Sequence, residues 1–273
     1  MSEYPGDRMS KKAILVVSFG TSFKETREKT IDAVERAVAE KYSGWEVRRA
    51  FTSKMIIKKL KERDGIFIDY IDEALQRLAD DGFEKVVVMP THVMNGTEYD
   101  FVAHISAEFR GKFKCLRISK PLLTTEKDYD AVIGAMDKAY FSRIFKDTSV
   151  GKAIVFMGHG SEHYANSAYC QLQMKLIALG YDHVYVTTVE GFPSFDDTLK
   201  FMAGHKYSRV VLVPFMMVAG DHATNDMAGD EEDSLKSKFI DAGCEVECLL
   251  EGLGEQKAFQ DLFLDHLADV IKQ

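Results

Sequence analysis

The fold class that this sequence predicts is α/β, in two similar Rossmann-like lobes, each a mostly parallel sheet flanked by helices. Two repeats carry that prediction. Val86-Val-Val-Met-Pro90 leads to Gly96 and Glu98, and Val210-Val-Leu-Val-Pro214 leads to Gly220 and His222, with the same spacing from proline to glycine. Likewise Ala13-Ile-Leu-Val-Val17 runs into Ser18-Phe19-Gly20-Thr21, as Ala153-Ile-Val-Phe-Met157 runs into Gly158-His159-Gly160-Ser161. The third observation is the alternation of short β-branched runs with amphipathic stretches. It is the mark of βα units whose parallel sheet is covered on both faces.

Strands are expected near residues 13–19, 45–51, 84–90 and 113–118 in the first half, and near 152–158, 183–189, 208–214 and 244–250 in the second. The connection 22–41 reads as one helix, with Ser22 as its cap, Glu25 in the capping-box position and Ile31, Val34 and Val38 as its apolar stripe. Leu122 to Asp147 is mostly helical in pattern, and the lobe boundary falls within it, giving lobes 1–125 and 126–273. The last segment, from Glu255, reads as an amphipathic helix with Phe259, Leu262, Phe263, Leu267 and Val270 inward, free to pack on either lobe.

A chain of 273 residues, 46% hydrophobic and 29% charged, has material for a large core and about two domains. Its net charge of −8 argues against a nucleic-acid partner, which usually needs a clustered basic face. There is no apolar run of membrane-spanning length, and Met1 to Ser10 has no signal-peptide core, so a cytoplasmic protein without a membrane partner is expected. The four cysteines contain no C-x-x-C pair, which disfavours a zinc ribbon or a disulfide framework. Cys244 and Cys248 fall on one face of a strand, as core thiols would.

In open parallel sheets, ligands bind beyond the carboxyl ends of the strands. Aligning the two copies puts Phe19, Thr52 and Glu98 at three strand ends of the first half, and His159, Glu190 and His222 at the matching ends of the second. Two imidazoles and a carboxylate suit a first-row divalent ion such as cobalt, iron, nickel or zinc. Three protein ligands leave coordination positions open, as a metal that is to react or be handed on requires. The structural alternatives are a helix cap for His222 and a helix-dipole partner for Glu190. Phosphate and acyl chemistry lose ground, because G-x-G-x-x-G, a P-loop and a G-x-S-x-G elbow are all missing.

At these residues the sequence resembles a known family. Leu15-Val-Val-Ser-Phe-Gly-Thr-Ser22, Arg49-Ala-Phe-Thr-Ser53, Asn95-Gly-Thr-Glu-Tyr99, Phe156-Met-Gly-His-Gly160 and Val218-Ala-Gly-Asp-His-Ala-Thr-Asn-Asp-Met227 look like stretches of the anaerobic-pathway cobalt chelatases, the CbiK type of class II chelatase. The resemblance implies a ferrochelatase-like pair of lobes with the tetrapyrrole in the cleft between them. It implies insertion of Co²⁺ into sirohydrochlorin on the route to cobalamin, without ATP and with no cofactor required. By the same resemblance His159 and His222 are the metal-site histidines, Glu190 matches a third ligand position and Glu98 matches a carboxylate implicated in activity. Iron or nickel chelation on the same scaffold, or a non-catalytic metal- or haem-binding protein, are the alternatives, and a homo-oligomer is compatible with any of them.

Metal insertion needs an acceptor for the two inner N–H protons of the macrocycle, and histidine with Glu98 answers that need. Sirohydrochlorin carries many carboxylates, for which Ser18, Thr21, Ser22 and Lys54 are candidate donors. His92 and His163 are placed where they could line the cleft. His104 reads as a helix-face residue, and His183, His205 and His266 as surface or loop positions.

Overall fold

The computed structural model describes residues 10–146 and 150–272. All eight expected strands form: β1 (Lys12–Ser18), β2 (Glu46–Phe51), β3 (Lys85–Pro90) and β4 (Cys115–Ile118) in one sheet, and β5 (Lys152–Gly158), β6 (Val184–Thr188), β7 (Arg209–Pro214) and β8 (Glu245–Cys248) in another. The sheets have the same topology, β2-β1-β3-β4 and β6-β5-β7-β8, with every pairing parallel. The strand order reverses direction beside β1 in one sheet and beside β5 in the other, so each has a crevice at the carboxyl end of its first strand.

Helices cross between the strands: α1 (Lys24–Lys29), α2 (Ile31–Lys41), α3 (Lys54–Asp64), α4 (Ile71–Asp80), α5 (Thr97–Glu108), α6 (Glu126–Met136) and the short α7 (Ser142–Ile144) in the first part of the chain. The second part adds α8 (Ser167–Ala178), α9 (Phe195–Met202), α10 (Leu235–Asp241) and α11 (Lys257–Ile271).

Side chains of β1 alternate between two cores because a strand turns successive residues to opposite faces. Ala13, Leu15 and Val17 enter a cluster with Leu75, Leu78 and Val102 of the flanking helices, whereas Ile14 and Val16 enter a larger cluster that also holds Ile154 and Phe156 of β5. The opposite face of β5, with Ala153, Val155 and Met157, has its own cluster with Met202 and Phe239. One central core is therefore shared by both sheets. Two helical segments fill it. The stretch after α6 lays Tyr140 and Phe141 edge-on against Phe156 at 5.4 and 6.1 Å between ring centroids. Helix α11 buries Phe259, Phe263 and Leu267 and packs along α2, α6 and β3 of the first sheet. The Arg117 guanidinium of β4 donates to the Val270 carbonyl at 2.8 Å, tying the end of α11 to that sheet.

Three expectations are corrected. The 22–41 segment is two helices, not one: Ser22 does not cap it, Phe23 stands at the cap position, and the axis breaks at Thr30, whose hydroxyl donates to the Thr26 carbonyl at 2.6 Å. The break lies where the 252–254 loop presses in. A Cβ on Gly254 would come within 2.9 Å of the Thr30 Cα, so only glycine permits that approach. Ile31, Val34 and Val38 are nonetheless buried, as their spacing predicts.

His266 is not a surface residue. It is 6% exposed, its Nε2 lies 3.2 Å from Asp128 Oδ1 at the start of α6, and its Nδ1 lies 3.2 Å from the Lys120 carbonyl. Sequence pattern placed the neighbouring Phe263 and Leu267 inward, but a histidine on the same helical stripe carries no sign of the carboxylate that waits for it. Cys244 and Cys248 do lie against one cluster, but both are only half-buried.

Candidate metal centre

The metal-type residues converge at the carboxyl ends of the second sheet. His159 follows β5, Glu190 follows β6, and His222 opens the helical turns after β7. Among the described residues, one ligand atom from each of these three lies within 4.8 Å of the others. His159 Nδ1 is 3.8 Å from Glu190 Oε2, and the two imidazoles meet edge to face at 4.6 Å.

Glycines make this convergence feasible. Gly160 has φ of +81°, and a Cβ there would meet Gly191 N at 2.8 Å and Glu190 C at 2.9 Å. Any larger residue would push the His159 and Glu190 loops apart. Behind them the Glu190 N–H donates to the His159 carbonyl at 2.8 Å, extending the β5–β6 ladder past the strands to these two residues. Tyr169 closes the floor against Gly158, its phenol pushed up to about 12 by burial.

Each imidazole has a second partner that fixes which nitrogen faces outward. His222 Nδ1 lies 2.7 Å from Asp226 Oδ2, one helical turn on, so an Nδ1–H donated there leaves the Nε2 lone pair for a metal. His159 Nδ1 lies 3.1 Å from the Gly160 carbonyl, which favours the same tautomer. His159 and Glu190 are exposed and His222 half-buried, so an ion held here remains open to exchange.

The first sheet faces this centre with different chemistry. Glu98 stands in the first turn of α5 and accepts a hydrogen bond from Thr52 Oγ1 at 2.8 Å. Two residues on, Asp100 Oδ2 lies 3.4 Å from Nε2 of His163, which belongs to the loop carrying His159. That contact joins the two halves beside the His159, Glu190 and His222 cluster. His163 thus lines the junction, with its Nδ1 accepting from the Ala165 N–H at 3.2 Å.

Strand register corrects one correspondence. Val17 pairs with Pro90 and Met157 with Pro214, so Phe19 is indeed the counterpart of His159. Ser18 pairs with Phe51, however, and Gly158 with Thr188, which makes Ser53, not Thr52, the counterpart of Glu190 and matches Thr52 with Val189. Gly191 and Pro193 follow β6 but have no counterpart just past β2, so residue counts alone place that correspondence one residue off.

Two of the hydroxyls expected to meet substrate carboxylates, those of Ser18 and Thr21, have partners inside the fold. Ser18 Oγ is 2.8 Å from Thr91 Oγ1, Thr21 Oγ1 accepts from the Phe23 N–H at 3.2 Å, and all of Ser18, Thr21 and Ser22 are buried. The Ser22 carbonyl accepts from Arg63. Lys54 remains exposed, its ammonium 4.7 Å above the Tyr70 ring. His92 has both ring nitrogens buried without a hydrogen-bond partner, and burial pushes its pKa down to about 4. It is a neutral residue just past the end of β3, with its ring nitrogens enclosed by the fold. Asp226 and Asp100 were not singled out by sequence. The i, i+4 spacing of His222 and Asp226 on a helical turn was the available signal for the first.

Two parallel α/β halves with an exposed His-His-Glu cluster at a strand-end crevice define a metal-handling protein of the chelatase class. Comparison with known proteins narrows this. The family model for cobalt chelatase (CbiK) matches residues 12–272, and the chain belongs to that family. It is 41% identical over 257 residues to the sirohydrochlorin cobaltochelatase of Salmonella typhimurium, covering 94% of this chain and 95% of that one. It is 32% identical over 269 residues to the sirohydrochlorin cobaltochelatase CbiKC of Nitratidesulfovibrio vulgaris, covering 96% and 92%. Among solved structures it resembles SirB from Bacillus subtilis with Fe³⁺ at a TM-score of 0.62 and 15% identity, with 95% of each chain covered. The two-lobed fold is that of the chelatases.

Proposed function

We propose that the chain is a sirohydrochlorin cobaltochelatase, inserting Co²⁺ into the macrocycle without ATP, as a step toward cobalamin. The observation that carries this reading is the His159, Glu190 and His222 cluster, with ligand atoms within 4.8 Å at an exposed strand-end crevice. The two cobaltochelatase relatives support the substrate.

In this mechanism His159, Glu190 and His222 hold Co²⁺ through few, exposed ligands, so the ion can shed water stepwise and then leave the protein. The macrocycle lies between lobe 1–125 and lobe 126–273. As each metal–nitrogen bond forms, an inner N–H bond breaks and its proton passes to a nearby acceptor. Glu98 takes or relays protons from the first lobe, and an imidazole released by the departing ion takes them from the second. Asp226 keeps the His222 Nε2 lone pair directed outward. The substrates are sirohydrochlorin and a free divalent ion, with no resident cofactor, nucleic acid or membrane required. Among the described residues, no helix is long and apolar enough to cross a membrane, in keeping with work in the cytoplasm.

Donor type does not separate cobalt from iron or nickel. An anaerobic absorbance assay with sirohydrochlorin and Co²⁺, Fe²⁺ or Ni²⁺, run beside His159→Ala, tests the reading. Metal-dependent spectral change is expected with Co²⁺ and is expected to vanish in the variant. No change with any of the three ions would overturn it.

A further inference from the structure

The two copies keep the same frame and differ at matched positions in a coordinated way. Eight residues past the strand-end proline, the first copy has Glu98 and the second His222. Just past the edge strand, the first copy has Thr52 and the second Val189, each held in place by its backbone N–H, to the Ser18 carbonyl at 3.0 Å and to the Gly158 carbonyl at 3.1 Å. Threonine and valine have the same branched shape, so packing alone does not choose between them. The hydrogen bond does: Thr52 Oγ1 donates to Glu98 Oε2 at 2.8 Å, whereas His222 turns to Asp226 and needs nothing from Val189.

The two members of this bond have opposite mobility. Thr52 is 8% exposed and β-branched, so its hydroxyl has little freedom to swing. Glu98 is exposed on the first turn of α5, and without a partner its carboxylate would sample many rotamers. We infer that Thr52 is a positioning residue for metal insertion: it holds one oxygen of Glu98 so that the other faces the cleft as proton acceptor. This rests on the role given to Glu98 above. In the step itself an inner N–H bond of the macrocycle breaks, its proton moves to Glu98 Oε1, and the nitrogen lone pair binds the ion. Thr52 keeps its own proton throughout.

The test is a double-mutant cycle of Thr52→Val and Glu98→Gln, with Thr52→Ser as the conservative variant. Steady-state kcat and KM for sirohydrochlorin are measured anaerobically with Co²⁺, and Co²⁺ affinity is titrated by absorbance without tetrapyrrole. Loss of an orienting contact used in the transition state lowers kcat more than it raises KM. Thr52→Val should lower kcat by roughly tenfold, with KM and Co²⁺ affinity within about twofold of wild type, and Thr52→Ser should restore most of it. In the Glu98→Gln background the Thr52→Val change should add little, since there is no longer a carboxylate to aim. Wild-type kcat in Thr52→Val while Glu98→Gln is slow would overturn the positioning role alone. So would equal losses in both backgrounds, which would mark a packing effect. Wild-type activity in Glu98→Gln would instead overturn the acceptor role of Glu98, and the Thr52 role with it.

Discussion

Asp226 shows how much one residue outside the ligand set can control. Its carboxylate, 2.7 Å from His222 Nδ1, fixes the tautomer that offers Nε2 to a metal. Asp226→Asn should therefore weaken Co²⁺ binding by roughly 10- to 100-fold while leaving the fold intact, measured by absorbance titration and circular dichroism. His222→Ala removes the proposed ligand and should abolish insertion with the same intact fold. His92 makes a different prediction, for stability. Its folded-state pKa, about 4, lies below the ordinary 6.5, because burial disfavours the charged ring. As pH falls below 6.5 the unfolded chain binds a proton that the folded chain refuses, so stability is lost down to about pH 4. His92→Met, which copies Met216 of the second half, removes that titration. Urea unfolding at pH 7.5 and 4.5 should show wild type losing about 2 to 3 kcal/mol more than the variant.

At the scale of elements, α11 joins parts that sequence order separates. It contributes Phe259, Phe263 and Leu267 to the core that both sheets share, and His266 to a buried pair with Asp128. Burial works to raise the Asp128 pKa, but donors from Lys120 and Thr125 outweigh it and hold the carboxyl below its usual range. Burial, with the Lys120 charge, holds the His266 imidazole down. Phe263→Ala should cost about 3 to 5 kcal/mol, because it empties a site enclosed by both halves. Leu262→Ala, half-buried on the same helix, should cost clearly less, and chemical denaturation of the two variants side by side checks the contrast. The periodicity of 255–273 was enough to draw the stripe, yet nothing in it names the sheet against which the stripe packs.

The whole molecule is two copies of one sheet topology around a common core, with unlike residues at the matched strand ends of the two copies. A ligand that binds the folded chain alone stabilises it by mass action. Co²⁺ at about 100 times its dissociation constant should therefore raise stability by about 2.7 kcal/mol, seen as a shift in thermal midpoint. His159→Ala and His222→Ala should lose that shift without a lower midpoint in metal-free buffer, since both imidazoles reach the surface. A shift that persists in both variants would place the stabilising ion elsewhere.

Much of this was already set by the order of residues. Eight strands, their helical connections, the duplication and the trio His159, Glu190 and His222 follow from hydrophobic period, strand-end position and repeat spacing, all local properties of the chain. Tertiary structure decided what depends on neighbours distant in sequence. It broke the 22–41 helix at Thr30 under the 252–254 loop, took His266 into the core beside Asp128, and buried Ser18, Thr21 and Ser22. It also set the register that matches Thr52 with Val189, because hydrogen bonds between strands, not residue counts along them, determine which side chains stand together.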